Sequence, residues 1–236
     1  MDSRLFRTDN SRLRTNDAFF YRSAAGTFPF FIYIYTRSIF QKDNHKKKKM
    51  KNLILTMHVT LDGFVAGPAG EMDWIHIDDE IFDYAGKMTD QADTALYGRK
   101  TWEMMDSYWP TADESPTASK HDKEHSAWYR KVMKIVISKT MQGRQLTNTR
   151  IIHDDIPGAI RELKEGPGSN IQIFGSPGAS HTLMQHQLID EYWLFMNPVL
   201  LGQGIPLFRN IEERQKLNLL ETRVFSSGVV GLHYHA

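Results

Sequence analysis

The chain of 236 residues contains no cysteine. Disulfides, thiolate metal sites and cysteine nucleophiles are therefore excluded, and a reducing, cytoplasmic compartment is expected. Long apolar runs are also missing. The stretch Phe28-Pro29-Phe30-Phe31-Ile32-Tyr33-Ile34-Tyr35 is far shorter than the roughly 20 residues a spanning helix needs. No small-residue cleavage site follows it, so no membrane role is expected. Three glycine signatures are absent as well. There is no Gly-x-x-x-x-Gly-Lys-Ser/Thr, no Gly-x-Gly-x-x-Gly opening a helix, and no Gly-x-Ser-x-Gly. These absences argue against phosphate-loop NTPases, the common dinucleotide fingerprint and α/β-hydrolases.

An excess of one charge sign is lacking too, with 29 Lys/Arg against 28 Asp/Glu. The balance hides an asymmetry. Residues 1–49 hold eleven Lys/Arg and four Asp/Glu, a net of +7, and residues 50–236 hold eighteen and twenty-four, a net of −6. An acidic body is a poor nucleic-acid surface, so no nucleic-acid partner is expected. Residues 1–49 lack apolar periodicity and end in Lys46-Lys47-Lys48-Lys49. They read as a disordered basic extension that need not be part of the native product, with the folded domain at 50–236. The alternative for them is a basic arm for nucleic acid or membrane.

Beyond Met50 the pattern becomes regular. Residues 53–60 form a continuous β-rich run, as expected of a buried central strand. The glycine-punctuated loop 61–70 after it is a common location for a ligand site. A helix from about Asp78 should bury Ile81, Phe82, Ala85 and Met88. The strand 94–97 then stops at Gly98, and a helix opens with Arg99, Lys100 and Thr101. Cations in a first helical turn add to the positive end of the dipole instead of complementing it. An anion before the exposed N–H groups would reconcile the two; an ordinary turn with solvated cations is the alternative.

Residues 106–121 are rich in Pro, Ser, Thr and Asp and read as an exposed loop, followed by a helix at about 122–132. Strands are expected at 134–139 and 150–153, then a helix capped by Asp155 with Pro157 in its first turn. The strand 171–174 runs into Gly175, Ser176, Pro177 and Gly178, a second anion cradle with Ser176 as N-cap. A strand at 192–199 and a hairpin at 217–225 and 229–235 close the chain. Alternating strands and helices make this an α/β domain on a mixed, mainly parallel sheet.

Asp62, Asp73, Asp78 and Asp79 surround the first loop. Any of them could orient a substrate or supply a proton, although aspartate is also an ordinary turn and capping residue. Trp74 could stack on a substrate ring or belong to the core. The ten histidines are poorly spaced for a metal; His121 and His125 lack a third ligand, and no metal site is expected.

Several blocks then coincide in order: Leu61-Asp62-Gly63-Phe64-Val65-Ala66, Tyr97-Gly98-Arg99-Lys100-Thr101-Trp102-Glu103, Val136-Ile137-Ser138, Phe174-Gly175-Ser176, Leu188-Ile189-Asp190-Glu191, and Pro198 through Phe208. Together they resemble the dihydrofolate-reductase-like superfamily, and within it the reductase domain of the bifunctional deaminase-reductase of riboflavin biosynthesis. The resemblance covers residues 50–236. It implies a three-layer dihydrofolate-reductase-like fold with a C-terminal antiparallel hairpin, and NADPH at the carboxyl ends of the strands. Gly98, Arg99, Lys100 and Thr101 would hold cofactor phosphates, with Ser138 and Lys139 near the adenosine end. Gly175, Ser176, Pro177 and Gly178 would cradle the pyrophosphate, and the loop from Asp62 to Trp74 would cover nicotinamide and substrate. Asp79 is the nearest equivalent of the substrate carboxylate that dihydrofolate reductases carry on their first helix. Arg99 and Lys100 favour the 2′-phosphate of NADPH over NADH.

The implied function is reduction of a small heterocycle, with 5-amino-6-(5-phosphoribosylamino)uracil the nearest named substrate. Dihydrofolate or pteridine reduction, and non-catalytic nucleotide binding on the same fold, are the alternatives. The zinc signature of the deaminase half needs cysteine, so the bifunctional enzyme is not expected. The apolar closing strands lead to the expectation of a homodimer.

Overall fold

Residues 50–236 are described by the computed structural model; the expected basic extension lies outside the described residues. The first strand is β1 (Leu53–Thr60), and its Leu53, Leu55, Met57 and Val59 all point to one face. After β2 (Phe64–Ala66) come α1 (Asp79–Thr89), β3 (Ala92–Gly98) and α2 (Arg99–Tyr108). A single 3-10 turn at Ala112–Glu114 leads to α3 (Lys120–Lys131), β4 (Met133–Ile137) and β5 (Thr149–Ile152). Then follow α4 (Ile156–Glu165), β6 (Asn170–Phe174), α5 (Pro177–Gln185) and β7 (Glu191–Asn197). The short β8 (Ile205–Pro206) precedes the closing pair β9 (Asn218–Val224) and β10 (Val230–His235).

Eight strands form one sheet in the order β5-β4-β3-β6-β1-β7-β10-β9. Pairings from β5 through β7 are parallel, and β10 is antiparallel to both β7 and β9. Parallel strands carry all their carboxyl ends on one edge, so the loops after β1, β3, β4, β6 and β7 gather there. This is a mixed, mainly parallel α/β sheet closed by an antiparallel pair, as the alternation of strands and helices in the sequence implied.

Helices cover both faces because the parallel strands bring buried apolar side chains to each: Leu53, Leu55, Met57 and Val59 of β1 on one, Ile54 of β1 with Trp193 and Phe195 of β7 on the other. On one face Leu53, Leu55, Leu96 and Ile173 pack against Ile160 of α4 and Leu183 of α5. On the other, Ile54, Trp193 and Phe195 meet Ile81, Tyr84 and Met88 of α1, while Ala95, Tyr97 and Val136 meet Trp102 of α2 and Tyr129 of α3. The helical stripe of α1 differs from expectation at one point. Phe82 is only partly buried and stacks on His121 of α3, and Tyr84 takes the buried position.

Helix ends follow local chemistry. Asp78 caps α1 by accepting from the Ile81 N–H, and Ser119 with Asp122 builds a capping box on α3. Asp155 caps α4 through the Gly158 N–H. Neither α2 nor α5 has a side-chain cap.

Candidate active site

The two uncapped helices start side by side, because β3 and β6 are neighbours in the sheet. Gly98 and Gly175 end the two strands. The Gly98 N–H donates to Ser176 Oγ at 2.9 Å, and that hydroxyl donates onward to the Phe174 carbonyl at 3.1 Å. Ser176 occupies the N-cap position of α5, but its hydroxyl ties the two turns together instead of capping its own helix. That corrects the capping role expected of it. Gly175 sits at φ +55° and Ser176 at φ +57°, a left-handed pair that turns the chain sharply into α5; glycine adopts this region without cost. A Cβ on Gly178 would meet open space, so the mouth of this turn is unobstructed.

At the α2 turn, Arg99 reaches forward along its own helix to both Glu103 oxygens, at 2.9 and 3.1 Å, and Lys100 is exposed. One cation of the pair is therefore already held, and the other faces solvent. Ser138 and Lys139 follow β4, next to β3 on its far side from β6. Ser138 is buried with its N–H on the Ile152 carbonyl, and Lys139 is exposed.

Beyond β6 lies β1 and the first loop. Asp62 accepts from Thr60 Oγ1 at 2.6 Å and, through Oδ2, from the Leu201 and Gly202 N–H groups at 3.0 and 2.7 Å. These donors, the Thr60 hydroxyl foremost and then the Gly202 N–H, hold its carboxyl below the ordinary aspartate range. Asp62 thus clasps the first loop to the 198–204 turn. A second clasp pairs β2 with β8, and His181 Nε2 reaches the Pro206 and Leu207 carbonyls. Asp73 and Asp79 are exposed, with Asp79 in the first turn of α1. Trp74 is half-buried, and its indole N–H has no partner among the described residues. The structure therefore gathers Gly98 to Thr101 with Gly175 to Gly178, sets Asp62, Asp73 and Trp74 along the loop after β1, and places Asp79 at the start of α1.

Two groups on β1 went unread in the sequence. Thr56 and His58 point to the α1 face and stay partly exposed, where their odd-numbered neighbours are shut. Thr56 Oγ1 accepts from Gln172 Nε2, and Gln172 Oε1 is buried without a partner among the described residues. His58 stacks on Phe195 at 4.9 Å, and its Nδ1 lies 3.2 Å from Asn197 Nδ2. Asn197 Oδ1 accepts from the His76 N–H, so its amide nitrogen donates to His58 and the proton of this neutral ring sits on Nε2. Burial pushes the His58 pKa down to about 4. The signal was present: 56 and 58 are polar positions two apart in an otherwise apolar strand, hence on one face.

On the same face a cleft of about 770 Å³ opens between α1 and α3. Phe82, His121, His125 and Trp128 line it. Phe82 and His121 stack at 3.6 Å, and Trp109 lies 4.1 Å from His125. Phe174, the residue before the Gly175 turn, packs on Trp128 at 5.7 Å and on His125 at 6.3 Å. The aromatic wall of the cleft therefore adjoins the paired turns. Burial lowers His121 and pushes His125 down to about 3, so both rings are neutral.

The chain has an α/β fold of the dihydrofolate-reductase-like kind. Residues 51–231 match the RibD C-terminal domain model, and the chain belongs to that family. Uncharacterized protein YyaP of Bacillus subtilis (strain 168) is 37% identical over 191 residues, which are 79% of this chain and 96% of the relative. Among solved structures, a diaminohydroxyphosphoribosylaminopyrimidine deaminase/5-amino-6-(5-phosphoribosylamino)uracil reductase from Thermotoga maritima is similar with a TM-score of 0.57 at 16% identity. The match covers 80% of this chain and 57% of that one. Dihydrofolate reductase from Enterococcus faecalis, complexed with NADP(H), has a TM-score of 0.51 at 14% identity, over 78% and 95% of the two chains.

Proposed function

We propose that this protein is an NADPH-dependent reductase of a small heterocyclic substrate. One observation carries the reading. Two helices without side-chain caps or first-turn acids begin side by side at the carboxyl ends of adjacent parallel strands, and a cleft lined in part by aromatic rings lies on the same face as α1 and α3. Unpaired N–H groups and two positive dipole ends suit the phosphates of a dinucleotide, so the residues fit the cofactor. The helix N-termini at Arg99 to Thr101 and Gly178 would hold its phosphates, with Arg99 and Lys100 adding charge. The bound nicotinamide would supply hydride. The protein's part is to bind, orient and exclude water: the Asp62 clasp fixes the loop beside β1, and the Phe82, Trp128 and Phe174 rings give a flat substrate a surface to stack on. Family membership and the reductases of the same fold support this reading.

The test is titration of the chain with NADPH, followed by tryptophan fluorescence. Saturable quenching is expected, weakened about tenfold in Arg99→Ala, as loss of a charge-assisted phosphate contact would give. No binding at millimolar cofactor would refute the reading. A homodimer belongs to the same proposal. The edge strand β9 leaves Leu219, Leu220 and Val224 more than half exposed, and an unpaired apolar edge favours association. Sedimentation should give twice the chain mass; a monomer at working concentration would refute it.

A further inference from the structure

We infer that the cleft between α1 and α3 is the substrate subsite, and that it takes a flat, non-phosphorylated heterocycle while disfavouring a phosphorylated one. This rests on the reductase reading above. It departs from the substrate for which the Thermotoga maritima reductase is named, which carries a phosphoribosyl group.

The first observation is the contrast between helix N-termini. Those of α2 and α5 carry no side-chain cap and no acid in the first turn. Those bordering the cleft are closed. The α1 terminus is capped by Asp78 and carries Asp79 and Glu80, and the α3 terminus is shut by the Ser119–Asp122 box. A carboxylate already occupies the place where a phosphate would dock, and repels another anion.

The second observation is the charge of the lining. Glu80, Asp83, Asp90 and Glu124 face Lys87, Lys120 and Arg223. Lys120 is held by Asp83 and Arg223 by Glu80, each at 3.0 Å. Asp90 and Glu124 have no cation within ion-pair distance among the described residues, and Lys87 has no carboxylate. With His121 and His125 neutral, the lining has a net charge of −1. The third observation is the aromatic wall of Phe82, His121, His125 and Trp128, backed by Phe174. Its volume lies within the usual range for small-molecule sites, roughly 300–1,000 Å³. The rings select a planar ligand, and Lys87, the cation left without a carboxylate among the described residues, is outweighed by the unpaired Asp90 and Glu124, which disfavours an anionic one.

The test is calorimetric titration of the full chain saturated with NADP⁺, using matched pairs with and without a phosphate: an aminopyrimidine riboside, a pteridine riboside and riboflavin. At least one unphosphorylated member should bind about tenfold tighter than its phosphorylated partner. Glu124→Lys, at an exposed position, should remove that preference, and Phe82→Ala should weaken both members. Tighter binding of the phosphorylated member, or no binding by any pair in a chain that holds NADP⁺, would overturn the inference. Failure of NADP⁺ itself to bind would instead overturn the reductase reading.

Discussion

Lowering the pH should destabilise this protein well before its carboxylates protonate, through two mostly buried neutral histidines. In the folded state burial brings His58 to about 4 and His125 to about 3, from an ordinary 6.5. The unfolded chain therefore takes up these protons first as pH falls. The stability held by each neutral ring is complete above about pH 6.5 and is lost progressively as pH drops toward the folded value. One pH unit in that window is worth about 1.4 kcal/mol per group, so each ring withdraws about 2 kcal/mol by about pH 5, and the two together about 4 kcal/mol. That is a large part of a total stability of roughly 5–15 kcal/mol. The carboxylates whose pKa is lowered, such as Asp62 and Asp122, act in a more acidic window and add little at about pH 5. The assay is urea unfolding at about pH 7.5 and about pH 5 for the wild type, His125→Phe and His58→Asn. Phenylalanine keeps the aromatic packing of His125 and removes its proton, so about half of the pH dependence should vanish. An unchanged pH dependence in His125→Phe, or a wild-type midpoint that does not fall, would refute the reasoning.

Three other outcomes are expected. Lys164→Met should cost about 3 kcal/mol in urea unfolding, because the buried ammonium spans Asp190 at 2.7 Å and the Leu188 carbonyl at 3.2 Å, and its loss leaves the Asp190 carboxylate, among the described residues, with the Leu53 N–H alone. A change below half that value would count against the pair. Gly175→Ala should cost about 1–2 kcal/mol through its positive φ and should weaken NADPH binding; unchanged stability would show that the turn accepts a side chain. Asp62→Ala should speed hydrogen exchange at the Leu201 and Gly202 amides it receives while leaving the global midpoint nearly unchanged; exchange as slow as wild type would refute the clasp.

Much of the carboxyl edge was legible one residue at a time. Gly98 and Gly175 mark where strands stop, and Asp155 and Pro157 mark where α4 starts, because each is a local backbone requirement. The partners of these residues were not legible. Ser176 looked like an N-cap, and only the pairing of β3 with β6 puts the Gly98 N–H within its reach, 78 residues away. Asp62 looked like a candidate acid until the 198–204 turn supplied two backbone donors from across the fold. Residues 106–121 read as an exposed loop and about 122–132 as a helix, whereas α3 already starts at Lys120. The aromatic residues of this region acquire a role only when α3 lies beside α1 and Phe174 arrives from β6.

The sequence by itself determined the alternation of strands and helices, the parallel character of the sheet and the two glycine turns. These follow from hydrophobic period and backbone permissiveness, which are properties of neighbouring residues. Only the tertiary structure decided which turns lie side by side, which aspartates are spent as clasps and caps, and where the cleft opens. Those depend on strand order and helix packing, which join groups far apart in the chain, and the charge of a site is known only once each ion has found its partner.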